Sequence, residues 1–350
     1  MGKPDITIRG AGIFGLTIAW ECHKLGAQVA VIDPGGPGAG ASGGVLGALA
    51  PHVPENWNAK KAFQFDSLIR ARSLWPEIEQ ASGLPTGYGA TGRLQPLADA
   101  RAVELAQARS ALARTLWKGQ ATWQVTDAPA HPDWRPPSPT GQWVFDSLSA
   151  RINPRAACAA LARALVENGV SITAEGPDHG AVIDATGTAG LLALNARFGR
   201  QIGAGIKGQA ALLRLPTPQD APQVFADALH IIAHDNGTVA IGSTTERDFA
   251  DPTATDAALE ALIDTARRFM PALRAAPVVE RWAGLRPRAR SRAPLMGRDP
   301  GHAGRYIANG GFKIGVGMAP KVAVEMARLV VEGRADIPAE FDSEIQLAPG

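Results

Sequence analysis

The chain has few cysteines and almost no net charge. Only Cys22 and Cys158 occur in its 350 residues. Both fall on predicted helices, so we expect two buried small side chains rather than a disulfide or a metal site. The formal net charge is +2, and such a near-neutral chain implies no polyanionic partner. We therefore do not expect a nucleic-acid-binding protein.

Long apolar runs are also absent. No stretch is long enough to cross a bilayer, and the N-terminal residues MGKPDITIRG lack the apolar core of a signal peptide. We expect a cytoplasmic protein without a membrane span. The sequence has no Ser-His-Asp or Cys-His arrangement typical of nucleophilic catalysis. Its length can bury a large core and predicts two domains.

The stretch from Asp5 to Asp33 reads DITIRGAGIFGLTIAWECHKLGAQVAVID. Alternation around Ile6 and Ile8 predicts a strand, the glycine-rich GAGIFG follows it, and an apolar helix leads to a second strand over 29–32 that ends at the acid. Strand, glycine turn, helix, strand and acid together form the fingerprint of an adenine dinucleotide-binding unit. The alternative is a βαβ unit that only packs.

Each residue of this fingerprint has a physical task. Gly10 permits the tight turn, Gly12 lets the backbone approach a pyrophosphate, and Gly15 lets the helix pack on the strand. The helix N-terminus offers free N–H groups and partial positive charge, and Asp33 accepts the ribose hydroxyls. The predicted contacts of the unit are Gly10, Gly12, Ile13, Phe14, Gly15, Asp33 and Pro34.

A glycine-rich segment over 34–52 follows. Val45, Leu46 and Leu49 interrupt its glycines, a mixture that suits backbone wrapped closely around a ligand. Ser42 can hydrogen-bond a phosphate oxygen. The alternative is a solvent-exposed linker. The predicted ligand contacts here are Ala41, Ser42, Gly47, Ala48 and Leu49.

The remaining chain alternates helices and strands. We predict helices over 59–79, 99–116, 154–169 and 257–269, and a last one that starts at Ala319-Pro320. Strands are predicted over 91–97, 170–173, 181–187, 208–215, 229–233, 238–242, 277–285 and 306–309, with an irregular crossing over 127–142. Ligands of doubly wound sheets lie at the C-terminal ends of the strands, so Thr186 and Gly187 are a second dinucleotide contact.

The βα pattern occupies both ends of the chain, with a β-rich segment between them. This order predicts the α/β class: a Rossmann-like domain, in which helices cover a parallel sheet, with an inserted β-rich α+β domain for the substrate. We assign residues 1–85, 145–200 and 280–350 to the nucleotide domain. Residues 86–144 and 201–279 form the substrate domain.

Several blocks occur in the order of a known family. They are the fingerprint, ASGGVLG at 41–47, Gly208-Gln209, IGST at 241–244, WAGLRP at 282–287, PLMG at 294–297 and the glycine loop at 310–320. The chain resembles the D-amino-acid-oxidase-like FAD oxidoreductases, the group that contains glycine oxidase, sarcosine oxidase and D-amino acid dehydrogenase. The spacing from Ser42 to Pro51 is also similar to the oxidase domain of the bacterial wobble-uridine tRNA modification enzyme.

The resemblance implies FAD as cofactor and hydride transfer to flavin N5 from a C–H bond next to an amine. It implies a small molecule, an amino acid or an amine, as substrate, and oxygen or a carrier as electron acceptor. Arg286 matches the arginine that binds the substrate carboxylate in the family, and a guanidinium fork suits a carboxylate. Other arginines surround it in the sequence, and the alternative role is a surface ion pair.

The closing glycine loop supplies the remaining flavin contacts. The resemblance implies that Gly311, Phe312, Lys313, Ile314 and Gly315 touch the cofactor. Loop N–H groups and the positive end of the helix predicted from Ala319 can stabilise negative charge on the flavin. Lys313 stands where glycine oxidase has an arginine that helps to hold substrate, and it supplies a point charge without the fork. The alternative is a solvated lysine.

The sequence departs from the family pattern at two places, His230 and the segment 170–181. His230 aligns with a tyrosine near the substrate in glycine oxidase; it can hydrogen-bond a substrate or titrate near neutral pH, or it can be a satisfied core residue. His52, at the end of the glycine segment, is a further candidate near the flavin ring. The segment 170–181 is shorter than usual for the family, which affects the wall of the adenine site.

Three other functions remain open at this point. One is oxidation of a wobble-uridine side chain on tRNA, which a basic face of the folded protein would favour. Another is a flavin- or nucleotide-binding protein without turnover. The third is a nicotinamide dehydrogenase.

Overall fold

The computed structural model describes residues 3–348, and its framework is a six-stranded and an eight-stranded β-sheet. The strands are β1 (Ile6–Arg9), β2 (Val29–Ile32), β3 (Ala48–Leu49), β4 (Arg93–Pro96), β5 (Trp123–Thr126), β6 (Trp143–Asp146), β7 (Ala150–Arg151), β8 (Ser171–Thr173), β9 (Ala181–Asp184), β10 (Gly203–Arg214), β11 (Gln223–Ala226), β12 (Leu229–Ala233), β13 (Thr238–Gly242), β14 (Val278–Ala289), β15 (Leu295–Arg298) and β16 (Arg305–Asn309). The helices are α1 (Ile13–Lys24), α2 (Ala59–Ser82), α3 (Ala100–Leu116), α4 (Pro154–Glu167), α5 (Gly187–Phe198), α6 (Ala257–Phe269), α7 (Gly315–Glu332) and α8 (Ser343–Leu347).

The six-stranded sheet has the order β15-β16-β9-β1-β2-β8, and all its neighbours pair in parallel except β15 with β16. Its central strands are apolar because helices cover both faces. Ile8, Val31 and Ile183 have no exposed surface. Helix α1 packs against α7 and α4, so the predicted nucleotide-type parallel sheet is confirmed.

The eight-stranded sheet has the order β14-β10-β13-β12-β11-β4-β6-β5. One of its faces carries alternate apolar residues, among them Leu213, Val239 and Ile231, which pack with Leu259 and Ile263 of α6. The side chain of Asp256 caps that helix through Ala258 N. This arrangement gives the second sheet a core of its own.

Part of the opposite face of this sheet is lined by small residues. Ala210 lies across from Gly242, and Gly208 lies across from Gly284. A Cβ added to Gly242 would lie 3.3 Å from Leu46 Cδ2. The small-residue face therefore meets the glycine-rich segment over 34–52 at Leu46.

The predicted α/β class is confirmed, and α2, α3, α4 and α6 lie within a few residues of their predicted bounds. The predicted start of the last helix at Ala319 is wrong. Helix α7 begins at Gly315 and contains Pro320, and Gly317 fits against Leu68 and Leu49. Close packing outweighs the local signal that a proline gives for a helix start.

Helix α5 was predicted only as a turn after a strand. Leu191 and Leu194 are its buried residues, and they contact the strands of a third small core with Leu295 and Ile307. Short alanine-rich helices of this kind carry a weak periodic signal.

Strand β14 belongs to the eight-stranded sheet although the predicted boundary at 280 places most of it in the nucleotide domain. It pairs with β10 along nearly its whole length. Strand β6 likewise crosses the boundary at 144. The outer limits at 1 and 350 lie outside the described residues, and the division into two domains stays a prediction.

Both cysteines are free and buried, as expected. Burial raises the pKa of the Cys22 and Cys158 thiols to about 12, and Glu21 adds to the shift at Cys22. Between residues 3 and 348, no helix is both long and apolar enough to span a bilayer. The same residues hold no cluster of three or more potential metal-ligating side chains.

Candidate functional site

The turn between β1 and α1 depends on its glycines. Gly10 has a φ of +108°, and a Cβ there would lie 2.4 Å from the carbonyl oxygen of Ala185. A Cβ on Gly15 would lie only 1.8 Å from Gly10 O. Any side chain at either position would collide with backbone, so β1, β9 and the first turn of α1 can approach one another only with glycine here.

The side chains of Asp33 and Ser42 accept hydrogen bonds from backbone N–H groups of this turn. Asp33 Oδ2 accepts a hydrogen bond from Ala11 N at 2.7 Å, and its Oδ1 accepts from Gly35 N at 2.9 Å. Ser42 Oγ accepts from Ile13 N at 2.9 Å. The predicted acid and hydroxyl are therefore next to the start of the helix. Pro34 follows Asp33 at the surface, and Ala41 opens the 3-10 turn that contains Ser42.

Two further loops converge on the same place. A Cβ on Gly10 would lie 3.1 Å from Thr186 N, and one on Gly311 would lie 2.9 Å from Phe14 Cζ. Asn309 Nδ2 donates to Gly187 O at 2.8 Å and so joins these loops. The structure thus brings together the fingerprint, the Thr186 turn and the 311–315 loop.

Three helices begin at this edge of the sheet. Helix α1 starts after Gly12, α5 starts at Gly187, and α7 starts at Gly315. Helix N-termini carry partial positive charge and N–H groups that have no acceptor within the helix, and both suit a diphosphate and a reduced ring system. The surface between them is mostly backbone, and a Cβ on Gly12 would already lie 3.2 Å from Ser42 Oγ. An adenine dinucleotide fits this cradle.

Residues 47–49 form the wall beside α7. A Cβ on Gly47 would lie 1.8 Å from Ile152 O, and β3, which contains Ala48 and Leu49, pairs with β7. Leu49 is fully buried, with its Cα 3.9 Å from where a Cβ of Gly317 would lie. Ile314 is half-buried and precedes α7 directly. The backbone of this part of the glycine-rich segment is therefore packed between β7 and α7.

Arg286 lies on the small-residue face of the eight-stranded sheet. Its Nη1 donates to Ser243 Oγ at 2.6 Å, and its Nη2 donates to Lys207 O at 3.2 Å and to Thr244 O at 2.5 Å. Burial lowers the pKa of Arg286 to about 10, and Glu246 opposes that shift. The group remains charged at neutral pH. No protein acceptor for its buried Nε exists among the described residues.

Three cations lie close to the ring of Phe312. The Cζ atoms of Arg286 and Arg288 lie 5.6 and 5.7 Å from its ring centroid, and Lys313 Nζ lies 5.9 Å from it. These distances are typical of cation–π contacts. Phe312 has a φ of +47°, a conformation uncommon for a non-glycine residue. The strained loop therefore presents an aromatic ring to the cations.

The Lys313 side chain is solvent-exposed. Partial burial and the nearby charge of Arg286 lower the pKa of its ammonium group. Because the charge of Arg286 affects the pKa of Lys313, these two residues, both predicted to bind the substrate, lie in one region.

His230 is half-buried on β12, across from Gly242 and from Phe225. Its ring centroid lies 4.6 Å from that of Phe225. Burial lowers the pKa of His230 to about 3, with further lowering by the charges of Arg93 and Lys313. The imidazole is therefore neutral at physiological pH, and no described residue pairs with its buried Nδ1.

His52 lies at the other side of the glycine-rich segment. Its backbone N donates to Gln64 Oε1 at 2.8 Å, and its ring Nδ1 also contacts that oxygen. Burial lowers the pKa of His52, the Gln64 contact raises it, and Lys60 and Lys61 lower it further. The contacts of His52 are thus with helix α2, whereas those of Arg286 are with the second sheet.

The sequence did not identify several neighbours of Arg286. Gly208 has no side chain and so leaves room for the guanidinium, since a Cβ there would lie 2.3 Å from Arg286 Nη2. Ser243 and Thr244 accept its hydrogen bonds. All three belong to blocks that carry the family resemblance, which was a usable signal. Their contact with Arg286 depends on the pairing of β10 with β14 and β13, which no local pattern reveals.

Comparisons with known proteins match most of the chain. The family model described as DAO, FAD dependent oxidoreductase, matches residues 5–329. The bifunctional protein ThiO/ThiG of Trichormus variabilis is 28% identical over 95% of this chain, but the chain spans only 53% of that relative. The glycine oxidase of Geobacillus kaustophilus is 24% identical, with 93% of this chain and 92% of that protein covered.

A solved structure has a similar fold. The crystal structure of iminodiacetate oxidase from Chelativorans sp. superposes with a TM-score of 0.83 at 22% identity, over 96% of this chain and 98% of that one. At this identity the match supports the fold.

Proposed function

Because the chain belongs to the DAO family of FAD-dependent oxidoreductases and so uses FAD, we propose that it oxidises the C–N bond of an amino acid or secondary amine that carries a carboxylate. The observation that carries this proposal is the placement of Arg286, which is fixed beside the 311–315 loop on a face of small residues. A nicotinamide dehydrogenase and a binding protein without turnover do not fit the family.

In this proposal the residues of the cradle hold FAD. The backbone at Gly10, Gly12 and Gly15 and the start of α1 receive the diphosphate, and Asp33 receives the ribose. The bound FAD supplies a two-electron acceptor for the hydride of the substrate C–H bond. The loop before α7 and the N-terminus of that helix supply positive potential beside it.

The substrate carboxylate binds between Arg286 and Lys313. Arg286 keeps its charge, and one of its two Nη1 hydrogens donates to Ser243 while both Nη2 hydrogens have backbone acceptors. The remaining Nη1 hydrogen is available to a carboxylate oxygen. Lys313 Nζ, which also lies near the Phe312 ring, supplies a second charged donor. Arg286 keeps the fork of its family position, whereas at position 313 the fork is lost and Lys313 supplies a point charge instead.

His230 forms a polar part of the wall without carrying charge. Its depressed pKa makes it unable to act as a cation at neutral pH. A neutral imidazole can donate to or accept from the substrate, and it adds no further positive charge near the amine. This suits oxidation of an amine in its neutral form, from which a hydride leaves most readily.

The names of the relatives are consistent with this substrate class. Glycine oxidase and iminodiacetate oxidase act, by name, on amines with one or more carboxylates. Their common feature is a C–N bond next to a carboxylate.

Anaerobic mixing of the yellow holoprotein with a panel of D-, L- and N-alkyl amino acids tests the proposal. At least one member should bleach the flavin absorbance, and the matching amino alcohol, which lacks the carboxylate, should not. N-methylglycine and N-methylethanolamine form such a pair. Bleaching by amines regardless of a carboxylate would reject the role of Arg286, and no bleaching by any member would reject the substrate class.

A further inference from the structure

The cations around Phe312 are more numerous than a single carboxylate needs. Arg286, Arg288 and Lys313 all lie within 6 Å of the Phe312 ring, at 5.6, 5.7 and 5.9 Å. Arg286 and Arg288 are two residues apart on β14, so both side chains lie on the same face of the strand. Their Cα atoms are therefore about 6.8 Å apart.

Nearby carboxylates are already paired elsewhere. Glu246 and Asp256 lie 3.7 and 3.3 Å from Lys207 Nζ, and Lys207 is almost fully buried. Within residues 3–348, Arg288 and Lys313 have no carboxylate partner. Uncompensated cations this close together favour a ligand that brings negative charge.

Arg288 also differs from Arg286 in how it is held. Arg286 has three protein acceptors, whereas the half-buried Arg288 has an aromatic ring beneath it and no side-chain acceptor among the described residues. Burial and the charges of Arg247 and Arg292 lower the pKa of Arg288. No described residue accepts a hydrogen bond from its fork, which is therefore free for a ligand.

We propose that Arg288 binds a second anionic group, so that the preferred substrate of this site is a dianionic amine of the iminodicarboxylate class. This inference rests on the proposed function. One carboxylate binds Arg286 and Lys313, and the other, across a methylene–nitrogen–methylene bridge, reaches the bidentate face of Arg288. The C–N bond to be oxidised then lies between the two anchors. A free fork next to an occupied one favours this compact ligand over an RNA backbone, which would need a longer track of cations.

Inert thioether acids test the second anion without turnover. The holoprotein is titrated with thiodiacetate, a dianion, and with (methylthio)acetate, its monoanionic counterpart, and the shift of the flavin absorbance gives each Kd. We expect thiodiacetate to bind roughly tenfold more tightly. Arg288→Gln should reduce the ratio of the two Kd values to about twofold or less. Arg288→Lys should keep much of the preference for the dianion.

Arg290→Gln is the matched control. Arg290 is exposed, has the same charge and lies two residues further along the chain, but it is not among the cations at Phe312. It should leave the ratio unchanged. Flavin content and melting temperature show whether each variant is folded. An equal Kd for the two acids in the wild type, or an unchanged ratio in Arg288→Gln, would overturn the inference.

Turnover experiments distinguish a failure of this inference from a failure of the proposed function. If N-methylglycine bleaches the flavin but iminodiacetate has no advantage, only the second anion site is rejected. If no carboxylated amine bleaches it, both are rejected. If the protein instead binds folded tRNA, and Arg288→Gln and Arg247→Gln weaken that binding without any dianion preference, the cluster is an RNA surface and the inference fails.

Discussion

Gly208 and Arg286 occupy neighbouring strands, and the guanidinium lies where a side chain of residue 208 would be. A Cβ on Gly208 would lie 2.3 Å from Nη2 and 2.4 Å from Cζ of Arg286. Arg286 can therefore lie flat on the sheet and reach Lys207 O and Thr244 O. The absence of a side chain at one residue fixes the position of the charge at the other.

Gly208→Ala should displace Arg286 without touching the cofactor cradle. The guanidinium would lose its backbone acceptors, and we expect KM for a carboxylate substrate to rise by roughly tenfold, the effect of losing a charged hydrogen bond. Steady-state kinetics and the flavin content of the purified variant are the measurements. Flavin content should equal that of the wild type.

A double-mutant cycle with Arg286→Ala shows whether the effect of Gly208→Ala acts through the guanidinium. In the Arg286→Ala background, Gly208→Ala should raise KM little further. A full additional loss there would mean that the new methyl group disturbs another part of the site.

Arg286→Ala itself should raise KM for a carboxylate substrate by about tenfold or more, because a charged hydrogen bond is lost. Arg286→Lys should recover only part of this loss, since an ammonium group cannot reach Ser243, Lys207 O and Thr244 O together. Arg290→Ala is the control and should leave KM unchanged. An unchanged KM in Arg286→Ala would remove this residue from the substrate site.

The nucleotide-binding unit could be predicted from the sequence because its parts are close in the chain. The turn at Gly10, the helix after Gly12 and the acid at Asp33 all fall within one βαβ unit, and the Ala11–Asp33 hydrogen bond closes that unit. Local patterns suffice where the contacts are local. The strands over 229–233 and 238–242, which form the hairpin of β12 and β13, were predicted for the same reason.

The substrate side could not be predicted in this way. The position of Arg286 depends on the pairing of β14 with β10, some 80 residues earlier in the chain. Family resemblance pointed to Arg286, but neither the pairing nor the support from Ser243 had a local signal. The start of α7 was placed too late for a related reason, because the packing of Gly317 on Leu49 joins distant segments.

Substitutions at two glycines of the fingerprint should have different effects, one on folding and the other on flavin binding. Gly15→Ala places a methyl group 1.8 Å from Gly10 O, so it should destabilise the fold and lower the melting temperature of the apoprotein. Gly12→Val should leave a folded apoprotein without flavin, because its branched side chain fills the space next to Ser42. The ratio of visible to ultraviolet absorbance and the melting temperature distinguish the two. A yellow Gly12→Val protein would refute the assigned phosphate turn.

Lys313→Met should weaken binding of carboxylate substrates, because it removes one of the two proposed charged donors. Lys313→Arg should retain or improve binding, since it keeps the charge and adds a fork. The measurement is KM for each variant at low and high salt. Equal KM values for Lys313→Met and the wild type would show that this exposed lysine is only solvated.

His230 should make stability depend on pH. Burial, with the charges of Arg93 and Lys313, lowers its pKa from 6.5 to about 3. Between these values the unfolded chain binds more protons at this residue than the folded protein does. The contribution of His230 to the free energy of unfolding is therefore fully present above about pH 6.5. It is lost as the pH falls, by at most about 1.4 kcal/mol per pH unit. His52 and His234, whose pKa values are also lowered, act in the same direction.

His230→Phe should flatten this dependence while leaving the other histidines in place. Phenylalanine keeps an aromatic ring beside Phe225 but cannot bind a proton. Urea unfolding of wild type and variant at several values between about pH 7 and about pH 5 gives the free energy of unfolding for each. The difference between the two proteins should shift in favour of the variant as the pH falls, since only the wild type must keep a buried imidazole neutral. A difference that stays constant across this range would mean that His230 has the same pKa in the folded and the unfolded protein, and the proposed uncharged wall of the substrate site would have to be abandoned.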